Sequence, residues 1–333
     1  MGKRLQPFIP RGRHLLLTAA ILVTTWGFLS SCATPPPVVT PVDEGMYAPN
    51  IHNGRFYNPW RPLKFHYRAL WDQLFVSNPH RGRDYGPVPR QPTPEELLQK
   101  TSSDAITWIG HATFLIQDGK DHVLTDPHLS DWALLAHRKT APGIALDNLP
   151  QPTFAVISHN HYDHLDEETI RNLPAEVPYL VPMGLANWFR ELGRENVFEL
   201  DWWDSITIVD WTAHCVPVQH WSRRIGQPTN STLWCGWVLE SPRRQYFFAG
   251  DTGYFAGFRE ISRRYGPPDI AMLPIGAYYP ESFLSYQHMS PAEALQAFDD
   301  LGAQRMLPMH WGTFRLTLEP IAEPAVKLRQ LAK

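Results

Sequence analysis

Between His159 and His164 the chain reads His-Asn-His-Tyr-Asp-His, three histidines and a carboxylate in six residues. Imidazole and carboxylate are the ligands that a borderline-soft divalent ion such as zinc prefers. His159 and His161 can aim two imidazoles at one ion, and Asp163 with His164 can turn toward a second ion a few ångströms away. The apolar run Phe154-Ala155-Val156-Ile157 stands just before them and reads as a buried strand. The cluster therefore belongs to the loop at a strand's C-terminal end, where α/β scaffolds present reactive groups. A lone histidine is most often a surface residue or a satisfied core residue. This density of ligands, directly after a strand, is the pattern of a metal loop.

Three further ligand types stand where strands should end. His220 follows Cys215-Val216-Pro217-Val218-Gln219, Asp251 follows Phe247-Phe248-Ala249-Gly250, and His310 follows Met306-Leu307-Pro308-Met309. Strands converging on one sheet edge would gather all three beside the 159–164 loop. His159 and His161 with one more histidine make a three-nitrogen site; Asp163 and His164 with another make a second. Asp251 would bridge the two ions. Each ion then keeps an open position, which marks a catalytic rather than a structural centre.

The elements that must position these groups follow from period and punctuation. Strands are expected at 105–109, 113–116, 122–125, 154–158, 178–181, 206–209, 212–218, 233–239, 246–249, 270–273 and 305–309. Helices are expected at about 166–173, 184–192 and 256–264, from Ser290, and after Pro324. Ser290-Pro291-Ala292-Glu293 has the N-cap, the proline at N1 and the glutamate at N3 of a capping box. Thr93-Pro94-Glu95-Glu96 repeats that signature. Two sets of strands with helices among them predict two sheets packed face to face and covered by helices. The fold class is α/β.

Residues 1–31 are expected to lie outside this body. Lys3, Arg4, Arg11 and Arg13 precede an uncharged apolar run, which ends Leu29-Ser30-Ser31-Cys32. This resembles a bacterial lipoprotein signal with Cys32 as the lipidated first residue. Ala33 rather than Asp after it favours the outer membrane, by resemblance to known sorting rules, so the expected place is the cell envelope. Acyl chains on Cys32 would anchor the chain without a transmembrane helix. Residues 32–51 are then the anchor and a Pro-rich, semi-rigid tether. The folded domain is expected over 52–333, with 52–103 as an aromatic N-terminal wrap. Net charge is −3, and loss of the four basic residues would take it to −7. A nucleic-acid partner is excluded on that charge. Cys215 and Cys235 lie in apolar strand-like runs, compatible with a disulfide or with two buried thiols.

The words around the ligands carry a resemblance. They are Trp108-Ile109-Gly110-His111-Ala112-Thr113, Leu124-Thr125-Asp126-Pro127, Gln219-His220-Trp221, Phe247 to Tyr254, Tyr286-Gln287-His288 and His310-Trp311-Gly312-Thr313-Phe314. Together with the ligand set they resemble the N-acyl-phosphatidylethanolamine-hydrolysing phospholipase D family, within the metallo-β-lactamase fold superfamily. The resemblance covers roughly residues 52–325 and implies a metallo-β-lactamase-type αββα sandwich of two mixed sheets. It implies two zinc ions, with manganese or iron as alternatives. His159, His161 and His220 would hold one ion, Asp163, His164 and His310 the other, and Asp251 both. A hydroxide between the ions would attack phosphorus, releasing N-acylethanolamine and phosphatidic acid from a phospholipid. Asp163 would steer the nucleophile while remaining a ligand. Tyr162 and Gln287 would lie beside the metals, and His288 would contact phosphate or orient the site. His111 and Asp126 are candidates to orient the ligating imidazoles.

Two other readings remain. One is a lactonase or other ester hydrolase on the same two ions. The other is a non-catalytic envelope protein with a structural metal, against which a seven-ligand set with open positions argues.

Overall fold

The computed structural model describes residues 49–62, 80, 88 and 104–333. The signal-like segment with Cys32, most of the tether, most of the aromatic wrap and the Thr93 capping box lie outside the described residues. Among the described residues no helix is long and apolar enough to cross a membrane.

Twelve strands form two six-stranded mixed sheets, and the chain completes the first before it begins the second. The first comprises β1 (Asp104–Gly110), β2 (Thr113–Asp118), β3 (Asp121–Thr125), β4 (Phe154–Val156), β5 (Tyr179–Pro182) and β6 (Val197–Leu200). Its spatial order is β6-β5-β4-β3-β2-β1. β1 to β3 are antiparallel neighbours, while β3 to β6 run parallel. The second comprises β7 (Ser205–Ile208), β8 (Trp211–Val216), β9 (Gly236–Glu240), β10 (Gln245–Phe248), β11 (Ile270–Pro274) and β12 (Arg305–Met309), neighbours in that order. Its first four strands are antiparallel and its last three parallel.

The period-2 alternation of side chains builds the layers. Phe114, Ile116, Phe154, Val156 and Leu180 of the first sheet belong to one core with Trp211, Trp237, Leu239 and Phe248 of the second. Trp211 joins the sheets directly, edge-on to Phe154 at 5.8 Å and stacked on Tyr246 at 5.7 Å. The intervening residues Leu115, Ala155, Tyr179 and Val181 face outward. Against them pack Ile170 of α1 (Glu167–Asn172) and Phe189 of α2 (Ala186–Glu191). On the far face α3 (Gly257–Tyr265) sets Phe258 edge-on to Phe247. α4 (Glu281–Leu284), α5 (Pro291–Leu301) and α6 (Glu323–Leu331) follow. α5 opens with the expected box: Glu293 N donates to Ser290 Oγ, and Ser290 N donates to the Glu293 carboxylate. The architecture is the αββα sandwich.

The departures come from contacts with segments distant in the chain. β6 was not anticipated, because Val-Phe-Glu-Leu alternates poorly; parallel pairing with β5 imposes the extended backbone. The strand expected from Leu233 begins at Gly236. Upstream, the backbone N–H groups of Leu233 and Cys235 donate to loop carbonyls, those of Met183 and Ser158. Cys215 and Cys235 are both buried free thiols.

Asp118, at the end of β2, closes the edge of the sandwich opposite the metal-loop residues. Ser241 Oγ donates to it at 2.6 Å, Tyr246 Oη at 2.9 Å and Arg243 Nε at 2.6 Å, all from the second sheet. Burial pushes this carboxyl up, but the three hydrogen bonds outweigh that and hold it below its usual range. A carboxyl depressed on folding contributes stability above its unfolded pKa of about 3.9 and loses it as pH falls through the folded value. Asp118→Asn should therefore cost roughly 1–3 kcal/mol at neutral pH. In urea unfolding the gap between variant and parent should shrink as the pH is lowered below about 4.

Candidate metal centre

Every candidate ligand arises just beyond a strand. The loop 158–166 follows β4, His220 follows β8, Asp251 follows β10 and His310 follows β12. The second sheet holds the loop of the first. Trp237 Nε1 donates to the Ile157 carbonyl at 2.9 Å, and Cys235 N donates to that of Ser158 at 2.9 Å. Gly250, with φ +58°, makes the approach possible: a Cβ there would lie 2.4 Å from that of Ser158. His111, Asp126 and His310 also have positive φ, at 53°, 33° and 62°. Left-handed backbone at non-glycine residues costs about 1–3 kcal/mol each and persists where the surroundings over-determine it.

The side chains meet in two groups. Ligand atoms of His159, His161, His220 and Asp251 all lie within 4.8 Å of one another, and so do those of His111, Asp163, His164 and His310. In the first group His161 Nδ1 is 2.9 Å from His159 Nε2 and 3.2 Å from His220 Nε2. In the second, Asp163 Oδ2 is 3.6 Å from His164 Nε2 and 3.3 Å from His310 Nε2. Asp251 Oδ2 touches both, 3.8 Å from His220 and 4.0 Å from His159, then 3.2 Å from His164 and 3.1 Å from His310.

An outer layer fixes which ring nitrogen faces inward. His164 Nδ1 pairs with Asp126 Oδ2 at 2.6 Å, and His220 Nδ1 donates to the Gln287 carbonyl at 3.0 Å. His159 Nδ1 lies 2.9 Å from Ser158 Oγ, which itself donates to Asp126 at 2.6 Å. In each case Nε2 is left for the centre. Asn58 Nδ2 donates to the His220 carbonyl at 2.9 Å, so the described part of the N-terminal region props that ligand.

The electrostatics match a cation site. Burial holds His159 and His220 well below the imidazole range and brings His161 to about 4, so these rings are neutral with a lone pair available. Burial raises Asp163 and Asp251, but the surrounding imidazoles outweigh it and keep both carboxylates ionised, well below their usual range. Burial lowers His164 and His310, yet the two carboxylates prevail, taking His164 well above its usual range and His310 to about 9. This pocket demands positive charge. Buried His164 Nε2, His310 Nε2 and Asp251 Oδ1 have no hydrogen-bond partner, and unpaired buried polar atoms cost about 1–3 kcal/mol each. Nitrogen and carboxylate oxygen in this number fit two divalent ions.

The less certain residues separate. His288 Nδ1 is buried and unpartnered, 3.7 Å from Asp251 Oδ2. Gln287 acts through its backbone carbonyl rather than its amide. Tyr162 turns outward from the ligand groups: its hydroxyl accepts from Ile225 N at 3.2 Å, and the Arg224 guanidinium lies 4.2 Å over its ring. The 222–231 loop, which bonds Asn160 through Arg223 N, takes that side chain. Asp126 orients an imidazole, as one reading of it required. His111 instead pairs with the carboxylate Asp163, Nε2 to Oδ2 at 2.9 Å. Spacing gave no signal for that contact, because the turn at Gly110 and the β4 loop meet only across β2 and β3.

Residues 121–311 match the Beta-lactamase superfamily domain, and the chain belongs to that superfamily. It is a metal-dependent hydrolase of metallo-β-lactamase fold. The chain is similar to N-acyl-phosphatidylethanolamine-hydrolyzing phospholipase D 1 of Caenorhabditis elegans, 36% identical over 68% of each chain. It is also similar to an uncharacterized protein of Mycobacterium tuberculosis, 34% identical over 95% of this chain and 89% of that one. Among solved structures it is similar to a possible metal-dependent hydrolase from Veillonella parvula, with TM-score 0.58 and 16% identity over 69% of this chain and 94% of that one. That likeness is one of fold.

Asp126→Asn keeps the side chain's volume but weakens the hold on His164 and Ser158. Metal affinity should fall by about 10–100-fold, read as the chelator concentration that strips half the bound metal. The circular dichroism spectrum should be unchanged.

Proposed function

We propose that the chain is a two-metal phosphodiesterase of phospholipase D type, acting on N-acyl-phosphatidylethanolamine or a related lipid. The observation that carries the reading is Asp251, whose Oδ2 lies against both groups of histidines. His159, His161 and His220 would hold one ion, Asp163, His164 and His310 the other, with Asp251 shared. Zinc is the first expectation for both positions. Two divalent ions there would supply Lewis acidity toward the phosphoryl oxygens and a water of lowered pKa as nucleophile.

The chain's own groups do the positioning. Asp126, Ser158 and Gln287 lock the ligand tautomers, and His111 fixes the free rotation of Asp163. His288, neutral with a pKa near 4 chiefly through burial, offers a ring nitrogen beside Asp251 to a phosphoryl oxygen. The water's oxygen bonds to phosphorus as the phosphorus–oxygen bond on the head-group side breaks. The proton released by the water ends on the departing ethanolamide hydroxyl. The likeness to a phospholipase of that name supports the lipid substrate.

Purified chain should hydrolyse N-acyl-phosphatidylethanolamine in vesicles, lose activity to a chelator and regain it with zinc, manganese or iron(II). Asp251→Asn should lower kcat/KM by more than about 10²-fold, because losing the shared ligand exceeds the roughly 10–100-fold cost of losing an outer partner of a ligand. Turnover of lactones with no turnover of lipid phosphodiesters would overturn the substrate and leave the two-metal centre. Activity fully retained in Asp251→Asn would overturn the shared-carboxylate mechanism.

Cys32 as a lipidated anchor in the cell envelope, with the outer membrane as its place, is a separate proposal resting on the sequence. Cys32→Ala should move the chain from the membrane to the soluble fraction. An unchanged distribution would overturn the anchor.

A further inference from the structure

A small hairpin, Trp132–Ala133 paired with Ala136–His137, rises from the loop between β3 and β4. Its two-residue turn is Leu134-Leu135, and Leu134 has φ 54°. Such turns are built from glycine, asparagine or aspartate, which tolerate the left-handed backbone. Here leucine takes the strained position, and neither leucine is buried in return: Leu134 is 43% exposed, Leu135 58% and Trp132 57%. Trp132 packs edge-on to His137 across the hairpin at 4.7 Å, but local folding does not account for the two leucines on its exposed tip.

The base of the hairpin has different chemistry. Lys139 and Arg315 are both exposed. Lys139 N donates to the Thr313 carbonyl at 2.8 Å, which brings their two segments together, and the 39% exposed Leu316 follows Arg315. Asp131 is an exposed acid at the same base. An apolar tip over two cations suits an interface where acyl chains lie beneath phosphate headgroups.

The hairpin is also coupled to the metal centre. Arg138 is buried at its base, donating from Nε to the Ser130 carbonyl at 2.9 Å and from Nη2 to that of His128 at 2.6 Å. Its guanidinium lies 5.1 Å over Phe314, whose ring is edge-on to His111 at 5.2 Å. His111 in turn pairs with Asp163. A further exposed apolar residue, Ile225 at 62%, sits on the loop bonded to Tyr162 within the metal loop.

We propose that the 132–137 hairpin is a docking spike for a lipid surface, inserting Trp132, Leu134 and Leu135 among acyl chains and so seating the metal-bearing edge on the headgroups. The inference rests on the lipid phosphodiesterase reading for its purpose, but it is tested apart from activity. The full chain carrying Cys32→Ser and Leu135→Cys leaves Cys215 and Cys235 as buried thiols. Labelled at 135 with an environment-sensitive fluorophore, it should show a blue shift on vesicles of phosphatidylcholine and phosphatidylglycerol. Lipids brominated on their acyl chains should quench it. The same label at Val209→Cys, on the exposed β7–β8 turn at the opposite end, should show neither change. No shift at 135, or an equal shift at both positions, overturns the proposal. So does a shift at 135 that needs no vesicles and grows with protein concentration, which would mark a contact between copies.

The paired change Leu134→Gly and Leu135→Asn supplies the residues favoured where only the first turn position has positive φ, so the fold is kept. Hydrolysis of phosphodiester in vesicles should fall about tenfold or more, since withdrawing even one of the two leucines from an apolar phase is about a tenfold effect. Hydrolysis of a water-soluble short-chain phosphodiester should not change. Equal loss on both substrates, or none on either, overturns the proposal. If the parent chain hydrolyses neither substrate, the phosphodiesterase reading fails and the fluorescence result still decides the docking.

Discussion

Five imidazoles and two carboxylates crowded into one buried edge would, taken alone, destabilise the fold. Each ionisable group loses hydration, and like groups stand within hydrogen-bond distance of one another. The rest of the molecule holds them there. Behind the ligands lies an inter-sheet core rich in large rings, Trp211, Trp237, Phe154 and Phe248 among them, which leaves the loops little freedom to relax apart. At the ligands themselves, His111, Asp126 and His310 keep left-handed backbone. Only glycine at 250 lets the Asp251 turn pass beside Ser158. Strain of this kind collects where geometry is set by function rather than by local preference.

The outer layer decides what the inner one can do. An imidazole free to rotate presents either nitrogen; one held by Asp126, by Ser158 or by the Gln287 carbonyl presents Nε2. His161 alone among the first group turns Nδ1 inward, toward His159 and His220. A His-x-His pair on an extended loop reaches one point in just this mixed manner, since alternate side chains start from different heights along the chain.

Much of this was legible in the sequence, for a physical reason. A ligand must be a histidine or an acid, and a rigid site must begin at a strand end, so His220, Asp251 and His310 each betray themselves by an apolar run before them. What was not legible depends on neighbours distant in the chain. β6 is extended because β5 pairs with it, not because Val197–Leu200 alternates. The direction of Tyr162 is set by Arg224 and Ile225 in a loop without periodicity. The same holds for His111, whose role follows from where Asp163 falls. The Leu134-Leu135 turn violates hairpin chemistry and so gave no signal of a hairpin at all.

The division of ligands between the sheets gives the centre a second consequence. The loop after β4, in the first sheet, supplies His159 and His161 to one group and Asp163 and His164 to the other. The second sheet supplies His220 to one, His310 to the other, and Asp251 to both. Neither sheet alone therefore carries a complete site. Docking the sheets and assembling the ligands are one event, and a ligand set assembled only in the folded chain links metal affinity to stability. An ion present at 100 times its dissociation constant adds about 2.7 kcal/mol to the folded state for each such site. That is comparable to the penalty of about 1–3 kcal/mol for each unpaired polar atom the site buries. The groups that make the edge costly as bare protein are the ones a metal converts into a clasp between the two halves of the sandwich.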